Sequence, residues 1–344
     1  MPMSHSHELS RATALWLFAV AVLVFSMVVL GGATRLTESG LSITEWAPVT
    51  GVVPPLSPEA WAVEFQKYQK IPQYQLVNRG MTLAAFQGIY WWEWTHRLVA
   101  RVVGVVFVLP FVGLWASGQL PRRLLWRCWL LLGLGGLQGL VGWWMVASGL
   151  QGRVEVAPER LTVHLGLALV VFCLLIWTGL EAWFGPGRAL PDRRWRWAAG
   201  GLAALVFLQV LLGGLVAGDR AGLVYNDWPL MNGRLFPQHY LGGGDIGWAL
   251  LHSQAAVQFN HRLTAYVLIV CAIATAVAAA KSRRLPQTVP VIAAGVAVLV
   301  ALQACLGVAT LMTRAPIGLA LPHQCLAALV LAAALSLAWR VRRA

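Results

Sequence analysis

The sequence predicts an all-α integral membrane protein with eight transmembrane helices, arranged as two pseudo-repeated four-helix bundles, with both termini cytoplasmic. Three observations predict it. The 344 residues are 58% hydrophobic and only 11% charged, whereas a soluble domain is about 45–50% apolar and about 25% charged. Eight apolar runs have the length that a helix needs to cross the hydrocarbon, roughly 20 residues. The second half of the chain repeats features of the first half in the same order. Composition thus excludes a soluble enzyme and a disordered chain. A β-barrel is excluded because the runs are continuous and do not alternate. The 18 Trp and 34 Gly fit the same class, since Trp is enriched at membrane interfaces and Gly where helices pack closely.

The eight runs lie near 13–32, 92–116, 125–147, 161–184, 196–217, 255–280, 289–312 and 319–340. The first is long for the apolar region of a signal peptide and has a counterpart later in the chain, so it reads as a span. A net charge of +13 would suggest a nucleic-acid partner on a soluble chain. Here the excess sits between apolar runs, and topology accounts for it. Fourteen of the 26 basic residues fall at Arg11 and within 122–127, 188–196, 281–284 and 340–343, against only Glu8, Glu181 and Asp192 among the 13 acids. The positive-inside rule places these segments in the cytoplasm. The long segments 33–91 and 218–254 are then outside. In the first of these, Ser57-Pro58-Glu59 is a helix start, and Trp61, Phe65 and Tyr68 recur at helical spacing. An amphipathic helix is expected there, ended by Pro72, with a second helix over Gly80–Trp92 running into the second span. All five cysteines (Cys128, Cys173, Cys271, Cys305 and Cys325) fall inside spans. They read as buried free thiols, with no disulfide framework and no zinc pattern.

The repeat sets the domain organisation. At an offset of 182, Gly31-Gly32 meets Gly213-Gly214, Gly40-Leu41 meets Gly222-Leu223, and Trp46 meets Trp228. At an offset of 165, His96-Arg97-Leu98 meets His261-Arg262-Leu263, Leu137-Gln138 meets Leu302-Gln303, and Gly142 meets Gly307. His164 pairs with His323. Residues 1–185 and 186–344 are therefore expected to form two four-helix bundles of parallel topology.

Of eight histidines, His5 and His7 are in the N-terminal tail, and His239 and His252 are in an outer loop with no role legible in the sequence. The other four (His96, His164, His261 and His323) lie near the starts of even-numbered spans, two per half, toward the outer face. A lone histidine in a span is as often a packing residue as a ligand. Four at equivalent positions of two repeats are different, because ionisable groups within a membrane are costly and mark function. Imidazole is a good ligand for iron, copper or zinc. Two imidazoles do not close a tetrahedral zinc site, but they complete a planar macrocycle from its two sides, which points to one heme per half. Arg97 and Arg262, each beside a histidine, read as partners for heme propionates or as anchors reaching for the interface. The halves also differ. Glu93 lies one turn before His96 on one helix face, and its counterpart is Gln258. A carboxylate can act as a base or stabilise a developing cation, or simply sit well at a helix start; an amide cannot take the proton. This suggests a reactive N-terminal site and an electron-transfer C-terminal site.

The run Trp91-Trp92-Glu93-Trp94-Thr95-His96-Arg97, the GGATRLTESGLS stretch after the first span and the FQKYQKIPQYQLVNRGMTLAAF segment resemble heme A synthases, over nearly the whole chain and most closely the alphaproteobacterial and mitochondrial branch. The resemblance implies oxidation of the C8 methyl group of heme O to a formyl group, by two hydroxylations through a geminal diol, with water as the oxygen source. It implies a heme b cofactor on His261 and His323, substrate heme O between His96 and His164, and an important glutamate at Glu93. It implies a bacterial inner-membrane location, and heme O synthase and oxidase assembly factors as partners, and it leaves a homo-oligomer open. Many bacterial members carry an outer-loop cysteine pair. This sequence has none at 40–51 or 222–233, which puts a cysteine relay in doubt here. Two other readings compete. A bis-histidine membrane cytochrome explains the histidines but leaves the Glu93/Gln258 difference idle. A transporter would suit tandem repeats, but no discontinuous span or mid-membrane acid–base chain supports it.

Overall fold

The structure, a computed structural model, describes residues 2–185 and 192–342, with side chains from residue 11 onward. Arg188 and Arg343, and the side chains of His5, His7 and Glu8, lie outside the described residues. Among those described, the fold is all-helical apart from one isolated bridge between Met231 and Arg234.

Helix α1 (Pro2–Leu36) is followed by two short helices, α2 (Pro58–Tyr68) and α3 (Pro72–Leu76), and then by α4 (Leu83–Ala116), α5 (Arg122–Gly149) and α6 (Pro158–Phe184). The second half contains α7 (Arg193–Gly218), a short helix α8 (Ile246–His252), α9 (Gln254–Lys281), α10 (Thr288–Met312) and α11 (Ile317–Val341). Eight of these are long and apolar enough to cross a membrane. Their outward faces carry large apolar side chains such as Leu109, Val270 and Val291, as expected where the surroundings are lipid.

Local chemistry sets the helix starts. The side chains of Ser57, Thr82, Asp245 and Ser253 accept from the amides of Ala60, Ala85, Trp248 and Ala256, meeting donors that a helix start leaves free. The expected outer helix at Ser57 is present, but it ends at Tyr68. Pro72 opens α3 rather than closing α2, because proline is suited to a first helical turn, where its missing N–H costs nothing.

The two halves share several helix contacts, but α9 packs closely on α10 whereas α4 touches α5 only slightly. In the first, α1 lies against α4 and α6, and α5 against α6; in the second, α7 lies against α9 and α11, and α10 against α11. The halves meet where α6 contacts α7 and α1 contacts α11. One continuous apolar core, including Leu17, Phe111, Leu169, Val206 and Leu331, runs through both. At the end where α1 finishes and α6 begins, Arg220 donates to Glu38 (2.5 Å), a residue 182 positions away. Arg35 bonds Glu155 (2.8 Å) and the Ala217 carbonyl (3.0 Å), and Arg220 also reaches Glu155. Thus the two halves are tied at this end by charged groups. At the opposite end Glu181 pairs with both Arg123 and Arg127.

The segment before α4 and the start of α4 together build a small core from Leu41, Tyr68, Ile71, Phe86 and Tyr90, with Trp61 and Phe65 packed on it. It covers the N-terminal half. The C-terminal half carries an open cavity of about 630 Å³, whose lining includes Asp219, Tyr225, His239, Trp248 and His252. Burial pushes the Asp219 carboxyl up to about 6.

Candidate paired-histidine sites

Each histidine of interest stands on a long helix and packs against a glycine of the next. His96 (α4) lies beside Gly31 of α1, where an added Cβ would come 3.2 Å from the ring. His261 (α9) lies beside Gly213 of α7 at the same 3.2 Å. His164 (α6) lies beside Gly142 of α5 at 2.9 Å, and His323 (α11) beside Gly307 of α10 at 2.8 Å. Four glycines thus clear the space that four imidazoles occupy. Within each half the two rings are close enough to interact electrostatically, His96 with His164 and His261 with His323.

The histidines are also held by glutamines, which sequence reasoning noticed only as repeat matches or not at all. Gln138 Nε2 lies 3.2 Å from His164 Nδ1 and donates to the His164 carbonyl at 3.1 Å. Gln303 does the same for His323, at 3.1 and 2.9 Å. Gln209 does so for His261, at 3.1 and 3.0 Å. The His96 ring lies beside the Leu30 carbonyl, but its Nδ1 has no hydrogen bond of normal geometry among the described residues.

Glu93 is 3% exposed and Gln258 2%. One Glu93 oxygen accepts from Ser42 Oγ and from the Ile43 amide, both at 2.8 Å. The other accepts from Arg97 Nη2 at 2.6 Å. Arg97 also donates to the Glu45 and Ile43 carbonyls, each at 2.8 Å. Gln258 sits at the same place in the other half with reversed polarity. Its amide nitrogen donates to the Ala221 and Val224 carbonyls at 2.5 and 2.6 Å, and its oxygen accepts from Arg262 at 2.8 Å. Arg262 also holds the Leu230 and Tyr225 carbonyls. Both arginines therefore tie an outer segment to its helix. Arg262 Nε, Nη1 of Arg101 on α4, Arg220 Nε and Trp94 Nε1 are buried donors without a partner among the described residues. Arg101 was not singled out by the sequence, because its neighbours Ala47 and Pro48 lie far away in the chain.

Among the described residues no cluster of three or more His, Cys, Asp or Glu could hold a bare metal ion. The donor set is instead two imidazoles in each half, on separate helices and each seated against a glycine. Unpartnered buried polar atoms (His96 Nδ1 and the Oε1 of Gln138, Gln209 and Gln303) stand around it. These residues fit a bis-imidazole macrocycle such as heme.

Fold and site together define a multi-pass membrane protein with a histidine pair in each of two helical bundles. The chain belongs to the COX15-CtaA family of cytochrome oxidase assembly proteins, whose pattern it matches over residues 14–335. It is 61% identical to a heme A synthase of Caulobacter sp. (strain K31) and 58% identical to that of Caulobacter vibrioides, each over 97% of both chains. It is 49% identical to a heme A synthase of Rhodopseudomonas palustris, over 96% of this chain and 91% of the relative.

Proposed function

We propose that this protein is a heme A synthase of a bacterial membrane, an oxidoreductase that converts heme O to heme A. The observation that carries this reading is the pairing of four histidines over two bundles, with an acid beside one pair only, in a chain alike to heme A synthases over nearly its full length. Residues 1–185 hold the substrate site, with His96 and His164 as ligands to heme O. Residues 186–344 hold the cofactor site, with His261 and His323 as axial ligands. Both sites lie near the outer face, as the positive-inside rule orients the chain. Heme b, when bound, supplies one-electron transfer. Arg262, with its spare Nε, and Arg97 are the propionate partners. Oxidation of the C8 methyl to formyl, by two hydroxylations with oxygen from water and loss of one water from the diol, releases four protons and four electrons, and the electrons would leave one at a time to an oxidant outside this chain. Glu93 takes protons as the carbon is attacked, and its carboxylate opposes positive charge developing there. The Ser42, Ile43 and Arg97 donors fix that carboxylate in place, so that no orientation has to be found during the reaction. Heme O synthase and oxidase assembly factors are the expected partners.

The test is chromatography of hemes extracted from cells that make heme O, with and without this gene. Heme A appearing only with the gene supports the reading. Heme O persisting unchanged, with a normal b-type spectrum, would establish a plain membrane cytochrome instead.

A further inference from the structure

Gly142 of α5 faces the His164 ring. Gly139 and Gly135 lie one and two turns farther from the histidine on that same helix face. Both are exposed, and a Cβ added at either would meet no atom of another helix within 4 Å among the described residues. At the offset of 165 their counterparts on α10 are Ala304 and Val300, one and two turns from Gly307, which faces His323. Val300 is only 3% exposed and belongs to the continuous core. Helix α4 repeats the contrast. On the stripe that begins at His96, Gly104 is exposed and equally unhindered; its counterpart on α9 is Ile269, next to the buried Leu268.

The helices themselves differ in the same way, since α9 closes on α10 while α4 barely meets α5. Every residue of α5 from Leu130 to Leu137 is Leu or Gly. An open apolar cleft therefore leads from the N-terminal histidine pair toward the middle of the spans, and side chains fill its counterpart in the C-terminal half. The cleft ends on the imidazoles assigned to the substrate heme, so it continues that site.

Two similar bundles that take two similar hemes must tell them apart, and one means is to fill the space that the wrong ligand needs. Heme O differs from heme b in one substituent, a long isoprenoid chain in place of a vinyl group, on the macrocycle edge opposite the two propionates. Arg97 turns back toward the start of α4, to Glu93 and to the carbonyls of Ile43 and Glu45. Gly104 lies in the other direction along the helix. A heme with its propionates at Arg97 thus points its opposite edge along the cleft. Resting on the heme A synthase reading, we propose that the cleft between α4 and α5 is the subsite for the isoprenoid chain of heme O. Gly104, Gly135 and Gly139 keep it open. Ile269 and Val300 fill the corresponding place in the C-terminal half, which admits only a heme without the chain.

The test puts the C-terminal residues into the N-terminal helices of the full-length protein, as Gly135→Val and Gly104→Ile. Each variant is purified with its resident heme, whose retention reports folding, and is titrated with heme O and with heme b by Soret difference spectra. Both positions meet open space, so neither change should disturb helix packing, and the two lie on different helices, so either decides the matter alone. Each should weaken heme O binding about 10–100-fold, the usual cost of extra methyl groups in an occupied site, and leave binding of heme b at the wild-type level. Gly133→Val is the control. It lies on the other side of α5, where the counterpart Val298 is itself exposed, and it should change neither affinity. Wild-type heme O affinity in Gly135→Val and Gly104→Ile overturns the subsite, as does equal weakening for both hemes. Hemes extracted from cells with the unaltered gene separate the two readings. Heme A there upholds the functional reading whichever way the titrations fall, while selective loss of heme O binding in a protein that makes no heme A would fail the functional reading alone.

Discussion

Glu93 and Gln258 occupy the same place on α4 and α9, one turn before a histidine, and both are buried. Their hydrogen bonds run in opposite directions. Glu93 accepts from Ser42 and Ile43, while Gln258 donates to Ala221 and Val224. In both halves the third contact is to the arginine four residues on. One scaffold position thus holds a loop segment in both halves, through an acid in the first and an amide in the second. A buried ion pair is costly to assemble and need not add stability. An amide does the mechanical job in the C-terminal half without that cost. The acid in the N-terminal half is the group that the proposed reaction would use.

The largest effect expected from this division is at the cofactor pair. His261→Ala and His323→Ala should each remove the heme that the purified protein retains, read from the reduced spectrum, while His96→Ala and His164→Ala leave it in place. Wild-type heme content in both C-terminal variants would erase the distinction between halves. A smaller, graded effect is expected at the glycines. Gly307→Ala puts a methyl group 2.8 Å from the His323 ring, and Gly213→Ala puts one 3.2 Å from His261. Heme-to-protein ratio should fall further for Gly307→Ala; the reverse order would mean that ring clearance does not govern binding. The smallest effect is expected at sulfur. All five cysteines are free, and Cys271 and Cys305 face outward, so replacing all five with Ala or Ser should leave heme A formation normal. Its loss in a folded, heme-loaded variant would reveal thiol chemistry in one of the halves.

Much of the fold could be read locally. Length and apolarity marked the eight long helices, and Ser57 marked the start of α2. Pro72 was misread because proline both ends and begins helices, and only the turn at 69–71 decides which. The histidines stood out because ionisable groups are rare in apolar runs. Their glutamines did not, since each bond joins residues 20 to 52 positions apart, and no periodicity signals that. The partners of Glu93 were hidden for the same reason. Its sequence context suggested reactivity but not that Ser42 and Ile43, about 50 residues earlier, hold its oxygens.

These contacts sharpen the test of Glu93. Glu93→Gln keeps an acceptor for Arg97 but turns an amide toward the Ile43 donor, so it must be compared with Ser42→Ala, which weakens the same anchor and leaves the charge. A hydrogen bond to a charged group is worth about 1.5–3 kcal/mol, so Ser42→Ala should loosen the segment and lower heme A yield only in part. The direct measurement is chromatography of hemes extracted from cells expressing each variant with a heme O source, alongside the heme b content of the purified proteins. The division of labour predicts that Glu93→Gln keeps heme b but makes almost no heme A, with heme O or a hydroxylated intermediate accumulating well beyond the level in Ser42→Ala. Normal heme A from Glu93→Gln would contradict it and return Glu93 to the role that Gln258 plays, a strut for the outer segment.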